Sequence, residues 1–208
     1  MQTHRNPVNV AVVYHSGYGH TAKQAQAVAE GAAQVTGATV QLIRIEEGTE
    51  PSWKDLEQAD AIIFGAPTYM GGPSAQFKAF QDATSKNVFA AGSKWKDKVA
   101  AGFTNGASRS GDKLATLIQL ALFAAQHGMH WVNLGLPPAN NSSTGSESEL
   151  NRHGFWLGAA AQSNADQDAD IVPPEADLAT ARHLGRRVTT LAQQLVLGRN
   201  AIDQTASE

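Results

Sequence analysis

The chain alternates short apolar runs with longer segments whose apolar residues recur every three or four positions. The short runs are rich in β-branched residues and indicate buried strands, whereas the longer spacing indicates amphipathic helices. The predicted strands are Val8–Tyr14, Thr39–Ile45, Ala61–Gly65, Val99–Thr104 and His130–Leu134. The predicted helices are Thr21–Thr36, Ser74–Ser85, Asp112–His127 and Glu175–Leu197. This alternation predicts an α/β fold, a doubly wound parallel sheet with helices on both faces.

One long polar segment interrupts the alternation before the last helix. Gly135–Val172 is rich in Asn, Ser, Gly and Asp, and a connection of this length is typically functional or disordered. Its Phe155 and Trp156 favour a lid or a subunit contact over a solvated tail. The chain is long enough for one domain with a substantial core. The expected boundaries are a single domain at 1–208, a flexible N-terminus at 1–7, an insertion loop at 135–172 and a flexible C-terminus at 198–208.

The composition narrows the classes of function. Hydrophobic residues make up 42% of the chain, and no apolar stretch approaches the roughly 20 residues of a membrane span. Met1–Pro7 lacks the apolar core of a signal peptide, so we expect a cytoplasmic protein. No cysteine is present, so redox chemistry needs a bound cofactor. The net charge of −3, with scattered Lys and Arg, argues against nucleic acid as the main partner, and no spacing typical of a metal site occurs.

The segment after the first predicted strand has the features of a phosphate loop. Within His15–Thr21, Gly17 and Gly19 let the backbone turn so that successive N–H groups face one point. Ser16 and Thr21 add hydroxyl donors, and the following helix adds the positive end of its dipole. The lysine of a triphosphate loop and the third glycine of the dinucleotide pattern are missing. The loop therefore predicts a site for one terminal monophosphate, as in flavin mononucleotide (FMN).

Two further polar loops follow strands at the same edge of the predicted sheet. In a doubly wound sheet, the loops after the first, third and fourth strands lie side by side, where ligands bind. Pro67–Met70 offers a rigid turn and flat or soft side chains suited to lining a planar ring. Thr104 and the backbone N–H groups of Asn105–Arg109 are suited to the polar edge of a flavin. The three loops together predict a flavin site.

Four ordered motifs give the chain a specific resemblance. SGYGHT, GAPTYMGGPSAQFKAFQDAT, FTNGASRSGD and AQHGM resemble the motifs of the flavodoxin-like NAD(P)H:quinone oxidoreductases of the tryptophan-repressor-binding-protein family. The resemblance covers about Val8–Met129 and the last helix. It implies a flavodoxin-like, five-stranded parallel sheet in the order 2-1-3-4-5.

The resemblance also implies which residues bind FMN. Ser16–Thr21 would surround the phosphate, Thr68–Met70 would lie beside the ring, and Thr104–Arg109 would follow its polar edge. His127 falls where the family places a histidine close to the flavin, and it is the candidate catalytic residue beside a flavin that carries the chemistry. The cofactor-binding candidates are Ser16, Gly17, Tyr18, Gly19, His20, Thr21, Pro67, Thr68, Tyr69, Met70, Thr104, Asn105, Gly106, Ala107, Ser108 and Arg109.

The chain departs from the family at the expected substrate face. It has Thr-Tyr-Met at 68–70 where the family commonly has Thr-Arg-Phe, so an arginine near the ring is missing. The family's aromatic residue on the substrate face has no clean counterpart, and Phe89 and Trp95 are the candidates. Tyr18, at the tip of the phosphate loop, is a third candidate for contact with nicotinamide or quinone, with core packing as its alternative.

Several polar residues also have a structural interpretation. His127 ends an apolar helix, where a histidine favourably meets the negative end of the helix dipole. Arg109 pairs with a cofactor phosphate or is solvated. We expect His15 to act as a cap or to be exposed, and His20 to lend only its backbone N–H.

The sequence predicts an FMN-dependent oxidoreductase that passes two electrons from NADH or NADPH through the flavin to a quinone. The alternatives are a flavodoxin-type one-electron carrier and a non-enzymatic regulatory FMN-binding protein. As the resemblance implies, such carriers are strongly acidic, which a net charge of −3 does not match. The helix Leu114–Ala125 is apolar nearly all round and needs cover beyond the sheet. We therefore expect a homodimer or homotetramer, with Phe155 or Trp156 at a subunit boundary or over a flavin.

Overall fold

The computed structural model describes residues 7–205, and within that range it contains one sheet flanked by helices. The strands are β1 (Val8–Tyr14), β2 (Ala38–Arg44), β3 (Ala61–Tyr69), β4 (Gly72–Pro73), β5 (Val99–Gly106), β6 (His130–Trp131) and β7 (Ala159–Gln162). The helices are α1 (His20–Ala33), α2 (Trp53–Gln58), α3 (Ala75–Thr84), a π-helical turn (Ser85–Phe89), α4 (Lys113–Gln126) and α5 (Glu175–Thr205). Residues 1–6 and 206–208 of the expected flexible ends lie outside the described residues.

The sheet has the predicted parallel order. Its strands run β2-β1-β3-β5-β6, β7 also pairs with β5, and the two-residue β4 forms an antiparallel hairpin with β3. The strand predicted fourth from the sequence is β5, so the flavodoxin-like order 2-1-3-4-5 is confirmed. Because the loops after β1, β3 and β5 leave from the carboxyl ends of neighbouring strands, they meet at one edge.

Alternating side chains of each strand divide the core into two layers. On one face, Val10, Val12 and Ile63 pack with α1 and α5, and on the other, Val13 and Phe64 pack with α2, α3 and α4. Both faces are covered, which explains why the central strands are apolar without interruption. On the first face α1 and α5 approach closely, because a Cβ at Gly31 or at Gly185 would lie 1.9 Å from a carbonyl oxygen of the opposite helix.

The fifth position in the sheet is occupied by two short strands, β6 and β7, and not by the single predicted strand His130–Leu134. β6 ends at Trp131, the chain leaves the sheet, and β7 returns beside the second half of β5. The departure point is crowded, because the Trp131 ring lies against Gly102 and a Cβ at Gly158 would lie 2.0 Å from the Gly102 carbonyl oxygen. The expected loop Gly135–Val172 therefore contains a strand, which its sequence, Ala-Ala-Ala-Gln, does not signal because it has no β-branched residue.

Other boundaries move by a few residues, with two larger differences. β3 continues to Tyr69, four residues beyond the predicted Gly65, because Ala66 and Pro67 still pair with β5. α5 is helical to Thr205, so the stretch expected to be flexible from residue 198 continues the last helix over its described part. Within residues 7–205, no helix combines the length and the apolar character needed to cross a membrane.

Candidate functional site

The loop between β1 and α1 is shaped around one buried hydroxyl. The Ser16 oxygen accepts hydrogen bonds from the amides of Gly19 at 3.1 Å and Ala22 at 3.2 Å. Gly19 has a φ of 88°, a left-handed conformation that would strain any side chain. Because both contacts use the oxygen as acceptor, the hydroxyl proton stays available as a donor.

Free backbone amides at this loop indicate an anion-binding site. Within residues 7–205, the amides of Tyr18, His20 and Thr21 have no protein acceptor. They lie at the N-terminal end of α1, where the helix dipole adds partial positive charge. The residues that line the adjacent cavity include no Lys or Arg. This donor set fits a single phosphate ester such as that of FMN, and it does not fit a triphosphate with its metal.

A cavity of about 610 Å³ opens at this edge of the sheet. The three loops predicted to converge form its walls, together with a fourth segment that follows β7. The lining residues are Ser16, Tyr18, His20, Thr21, Pro67, Thr68, Tyr69, Asn105, Gly106, Ala107, Ser163, Ala165, Asp166, Gln167 and Asp168.

The remaining cofactor candidates lie around this cavity or away from it. Met70 and Ser108 line an adjoining cavity of about 410 Å³, which shares five wall residues with the first. Gly17 and Gly19 lie in the backbone of the phosphate loop. Arg109 forms an ion pair with Glu147 and lines neither cavity.

Thr68 and Thr104 belong to a chain of buried hydroxyl groups beneath the cavity. Thr104 donates to the carbonyl of Ala66 at 2.7 Å, so its oxygen accepts from Thr68, also at 2.7 Å. Thr68 in turn accepts from Thr116 of α4 at 2.8 Å. Since each hydroxyl has one proton, the direction of the chain is fixed. Both predicted residues therefore join β3, β5 and α4, and neither has a proton left for a ligand.

Sequence reasoning missed the fourth wall of the cavity. The Asn105 side chain donates to the Ser163 hydroxyl at 2.9 Å, and the Ser163 amide donates to the Gly106 carbonyl at 3.2 Å. The Gln162 side chain donates to the Ala107 carbonyl at 3.2 Å. These bonds fix the third predicted loop against the end of β7. The unusual length of the connection was the one signal in the sequence.

The segment after β7 also lies across the start of α1, where it contacts the side chain of His20. The His20 ring donates from Nε2 to the Gln167 carbonyl at 2.8 Å, so its side chain has a structural partner, and the use of its backbone N–H for an anion stays a prediction. Lys23 forms an exposed ion pair with Asp170 at 3.2 Å. His15 is buried rather than exposed, with Nδ1 2.8 Å from the Ser74 hydroxyl, and burial together with Arg44 lowers its pKa.

Two tyrosines form the rim between the two cavities. Tyr18 is 79% exposed, and its ring meets Tyr69 edge to face at a centroid distance of 6.3 Å. The core-packing alternative for Tyr18 is thus wrong. A Cβ at Gly17 would lie 2.6 Å from the Tyr69 hydroxyl, so this glycine is required for close contact. Burial, followed by the proximity of Tyr18, raises the pKa of Tyr69, and the phenol stays neutral near pH 7.

His127, Phe89 and Trp95 lie away from this edge. α4 starts at the carboxyl end of β5 and runs back along the sheet, so its last turn is at the opposite edge. Phe89 and His127 line a separate cavity of about 450 Å³, and Trp95 is 1% exposed in the core. A single chain therefore does not bring the catalytic candidate or these two substrate candidates to the predicted flavin site.

The hydrogen bonds of His127 define its tautomer. The Thr84 hydroxyl donates to the Gln81 carbonyl at 2.6 Å, so it accepts from His127 Nε2–H at 2.8 Å. Nδ1 is then an acceptor, and it is buried without a partner among the described residues. Burial lowers the pKa of His127, and aromatic rings enclose the imidazole. The residue is therefore a neutral imidazole with one unused lone pair.

The sheet order and the phosphate-type loop at its edge define a flavodoxin-like, FMN-binding class of protein. Residues 9–142 match the profile of the family described as NADPH-dependent FMN reductase. The chain is 48% identical to a protein named flavodoxin FldP of Pseudomonas aeruginosa, over 88% of this chain and 96% of the relative. It is 35% identical to an NAD(P)H dehydrogenase (quinone) of Archaeoglobus fulgidus, over 89% of this chain and 98% of that relative.

A solved structure shows the same similarity. The flavodoxin, WrbA-like protein from Agrobacterium tumefaciens superimposes with a TM-score of 0.69 at 46% identity, covering 90% of this chain and 98% of that one. The chain therefore belongs to the NADPH-dependent FMN reductase family and to its WrbA-like proteins, which confirms the resemblance seen in the motifs. It is accordingly a flavoprotein of the oxidoreductase class, with FMN as the cofactor that its fold family binds.

Proposed function

We propose that the chain is an NAD(P)H:quinone oxidoreductase that passes two electrons through bound FMN. One observation carries this proposal: the cavity of about 610 Å³ adjoins one of about 410 Å³, and the two share the wall residues Tyr18, Thr68, Tyr69, Gly106 and Ala107. Cavities of this size are typical of small-molecule sites. The first has room for the flavin, and the second leaves space beside it for a planar reactant.

The chain's own groups have distinct tasks at this site. Ser16, Thr21 and the free amides of the phosphate loop would hold the phosphate of FMN. Pro67–Met70 would lie beside the ring. The amides of Ala107 and Ser108 have no protein acceptor within residues 7–205, and they would stabilise negative charge at the polar edge of the ring. Bound FMN supplies the hydride and electron transfer chemistry.

A one-electron carrier is the second candidate, because the relative at 48% identity is named a flavodoxin. The relatives named NAD(P)H dehydrogenase (quinone) support the enzyme, and the net charge of −3 is small for a carrier. The two candidates differ in whether a nicotinamide reduces the flavin directly.

An anaerobic titration distinguishes these functions. Protein loaded with FMN, about one per chain, is titrated with NADH and with NADPH, and a benzoquinone is then added. If the chain is the enzyme, at least one of the two nucleotides should bleach the flavin absorbance stoichiometrically, and the quinone should then reoxidise the flavin. Steady-state kinetics should be ping-pong, with the nucleotide and the quinone competing for one site. Failure of both nucleotides, with a one-electron-reduced form accumulating under dithionite, supports the carrier. FAD is expected to bind much more weakly than FMN.

We also propose that the chain assembles as a homodimer or homotetramer. Leu114, Ile118 and Leu122 lie at a spacing of four on α4 and are 45%, 44% and 63% exposed, as expected for a face that needs cover. Trp156 is 61% exposed. A role for His127 near a flavin requires such an assembly, because its own chain's site lies at the other edge of the sheet.

A further inference from the structure

Lys113, the first residue of α4, is completely buried. Its side chain has 0% exposure, which is rare for a lysine without an ion pair. Its ammonium donates a hydrogen bond to the Ser108 carbonyl, and among residues 7–205 no carboxylate forms an ion pair with it. Neither the motifs nor the resemblance assigned this residue a role.

The side chain of Lys113 lies along the third loop of the proposed flavin site. A Cβ at Gly106 would be 3.5 Å from Lys113 Cε, so the stem packs against the backbone of this loop. Lys113 also lines the cavity of about 410 Å³, together with Tyr69, Ala107 and Ser108. The Lys113 side chain therefore lies directly behind the part of the wall that offers the free amides of Ala107 and Ser108, with its ammonium on the Ser108 carbonyl.

The lysine is charged at neutral pH, and it forms no ion pair within residues 7–205. Burial lowers the pKa of Lys113 to about 8, Asp177 of α5 and Asp112 next to it act in the opposite direction, and Arg152 of the insertion adds to the lowering. Asp177 is itself bound by Arg152 and His153, so most of its charge is already neutralised. Below its pKa, Lys113 places one buried positive charge behind the wall of this cavity, which Asp112 also lines. Removal of the lysine charge therefore makes the surroundings of the cavity more negative by one unit.

We propose that Lys113 is a positioning residue that sets the reduction potential of the bound flavin. It holds the Ser108 carbonyl and so orients the amides of the 106–108 loop, and its ammonium stabilises the reduced cofactor electrostatically. Reduction of FMN by two electrons with uptake of one proton adds one net negative charge to the ring. A positive charge near that edge favours the reduced form. This inference rests on the proposed FMN site.

The test compares the reduction potential of FMN bound to wild-type protein, Lys113→Met and Lys113→Arg. At pH 7 we expect Lys113→Met to weaken the preference for reduced over oxidised FMN about tenfold, which is about 30 mV for a two-electron couple. Lys113→Arg should keep the wild-type value because it keeps the charge. Lys98→Met is the matched control: burial also lowers the pKa of Lys98, which donates to the Glu57 and Ala59 carbonyls at the opposite edge of the sheet.

The pH dependence separates charge from packing. As the pH rises through about 8 toward 10, wild-type protein loses its charge at Lys113, so its potential should approach that of Lys113→Met. The inference would be overturned if FMN bound to Lys113→Met had the wild-type reduction potential at pH 7. It would also be overturned if the difference in potential between the two proteins were constant from pH 7 to 10. If Lys113→Met does not fold, the test uses wild-type protein alone. Above pH 8, the reduction potential of its bound FMN must then fall more steeply with pH than that of free FMN. Failure of wild-type protein to bind FMN contradicts the proposed function instead.

Discussion

Two glycines, Gly19 and Gly48, share a left-handed backbone but differ in their surroundings. Their φ values are 88° and 75°. A Cβ at Gly19 would lie 3.0 Å from Cβ of Ala169, whereas nothing lies within 4 Å of a Cβ at Gly48. The pair separates the cost of backbone strain from the cost of disturbing the cavity.

Gly19→Ala should reduce FMN affinity at least tenfold, and Gly48→Ala should leave it unchanged. Each substitution strains a left-handed residue and is expected to lower the free energy of unfolding by about 1 kcal/mol. Only the methyl at Gly19 displaces the segment after β7 and the amides of the phosphate loop. Isothermal titration with FMN and urea unfolding measure the two quantities, and equal affinity loss in both variants would contradict the placement of the phosphate.

Lys113→Met should stabilise the protein without cofactor at pH 7. The pKa of Lys113 falls from its ordinary range near 10.4 to about 8, so the folded state binds fewer protons than the unfolded state between these values. Burial of the charge is therefore a penalty below pH 8 that is relieved as the pH rises toward 10.4. We expect a gain of about 1–3 kcal/mol at pH 7 that shrinks at high pH, as measured by urea unfolding at several pH values. A loss of stability that does not vary with pH would contradict it.

A buried carboxylate joins α5 to the insertion and to β7. Asp177 accepts from Arg152 at 2.7 and 3.0 Å, from His153 at 3.3 Å and from the Gln162 amide at 2.9 Å. Burial alone would raise the pKa of Asp177, but the hydrogen bonds from His153, Arg152 and Gln162 outweigh it and lower the pKa. The cluster fixes β7, and through β7 the fourth wall of the cavity.

Asp177→Asn should destabilise the protein by about 3 kcal/mol, because it removes the buried carboxylate that pairs with Arg152 and leaves only the half-exposed Glu147 as a counter-charge. Asp82→Asn, in the exposed ion pair with Lys78, is the control and should cost less than about 1 kcal/mol. Because the pKa of Asp177 is lowered on folding, its contribution is present above about pH 4 and is lost as the pH falls through the folded value. Unfolding followed from pH 7 to 2 should show this loss in wild-type protein and not in Asp177→Asn.

An element can be predicted from the sequence when local residue preferences determine it, and not when long-range packing does. β1 and β3 have apolar runs that local preference and burial both favour, so their positions and order are evident from the sequence. β7 consists of alanine and glutamine, and it is a strand because β5 offers it free backbone groups. The phosphate loop was evident because its function depends on local backbone geometry. Lys113 and Ser163 reach the cavity only through long-range packing, for which the sequence has no periodic signal.

An exposed apolar stripe on α4 has consequences for the molecule as a whole. If Leu114, Ile118 and Leu122 form a subunit interface, a charge at its centre should disrupt the assembly. We expect Ile118→Glu to convert an oligomer to monomers in light scattering at micromolar concentration. Ile202→Glu, at an exposed apolar position near the end of α5, should leave the assembly intact. A wild-type monomer with full quinone reductase activity would contradict the assembly and a role for His127.

The division of the fifth sheet position between β6 and β7 bears on how the chain folds. The contacts that complete the cavity join residues far apart in sequence, such as Asn105 and Ser163, which are 58 positions apart. Loop closure makes such contacts entropically costly and slow to form. We therefore expect the β1, β2, β3 and β5 nucleus to form first and the ligand edge to form last. Cofactor binding would then stabilise the part of the fold that forms last. Hydrogen exchange at residues 159–163 should accordingly be slower with FMN bound than without it.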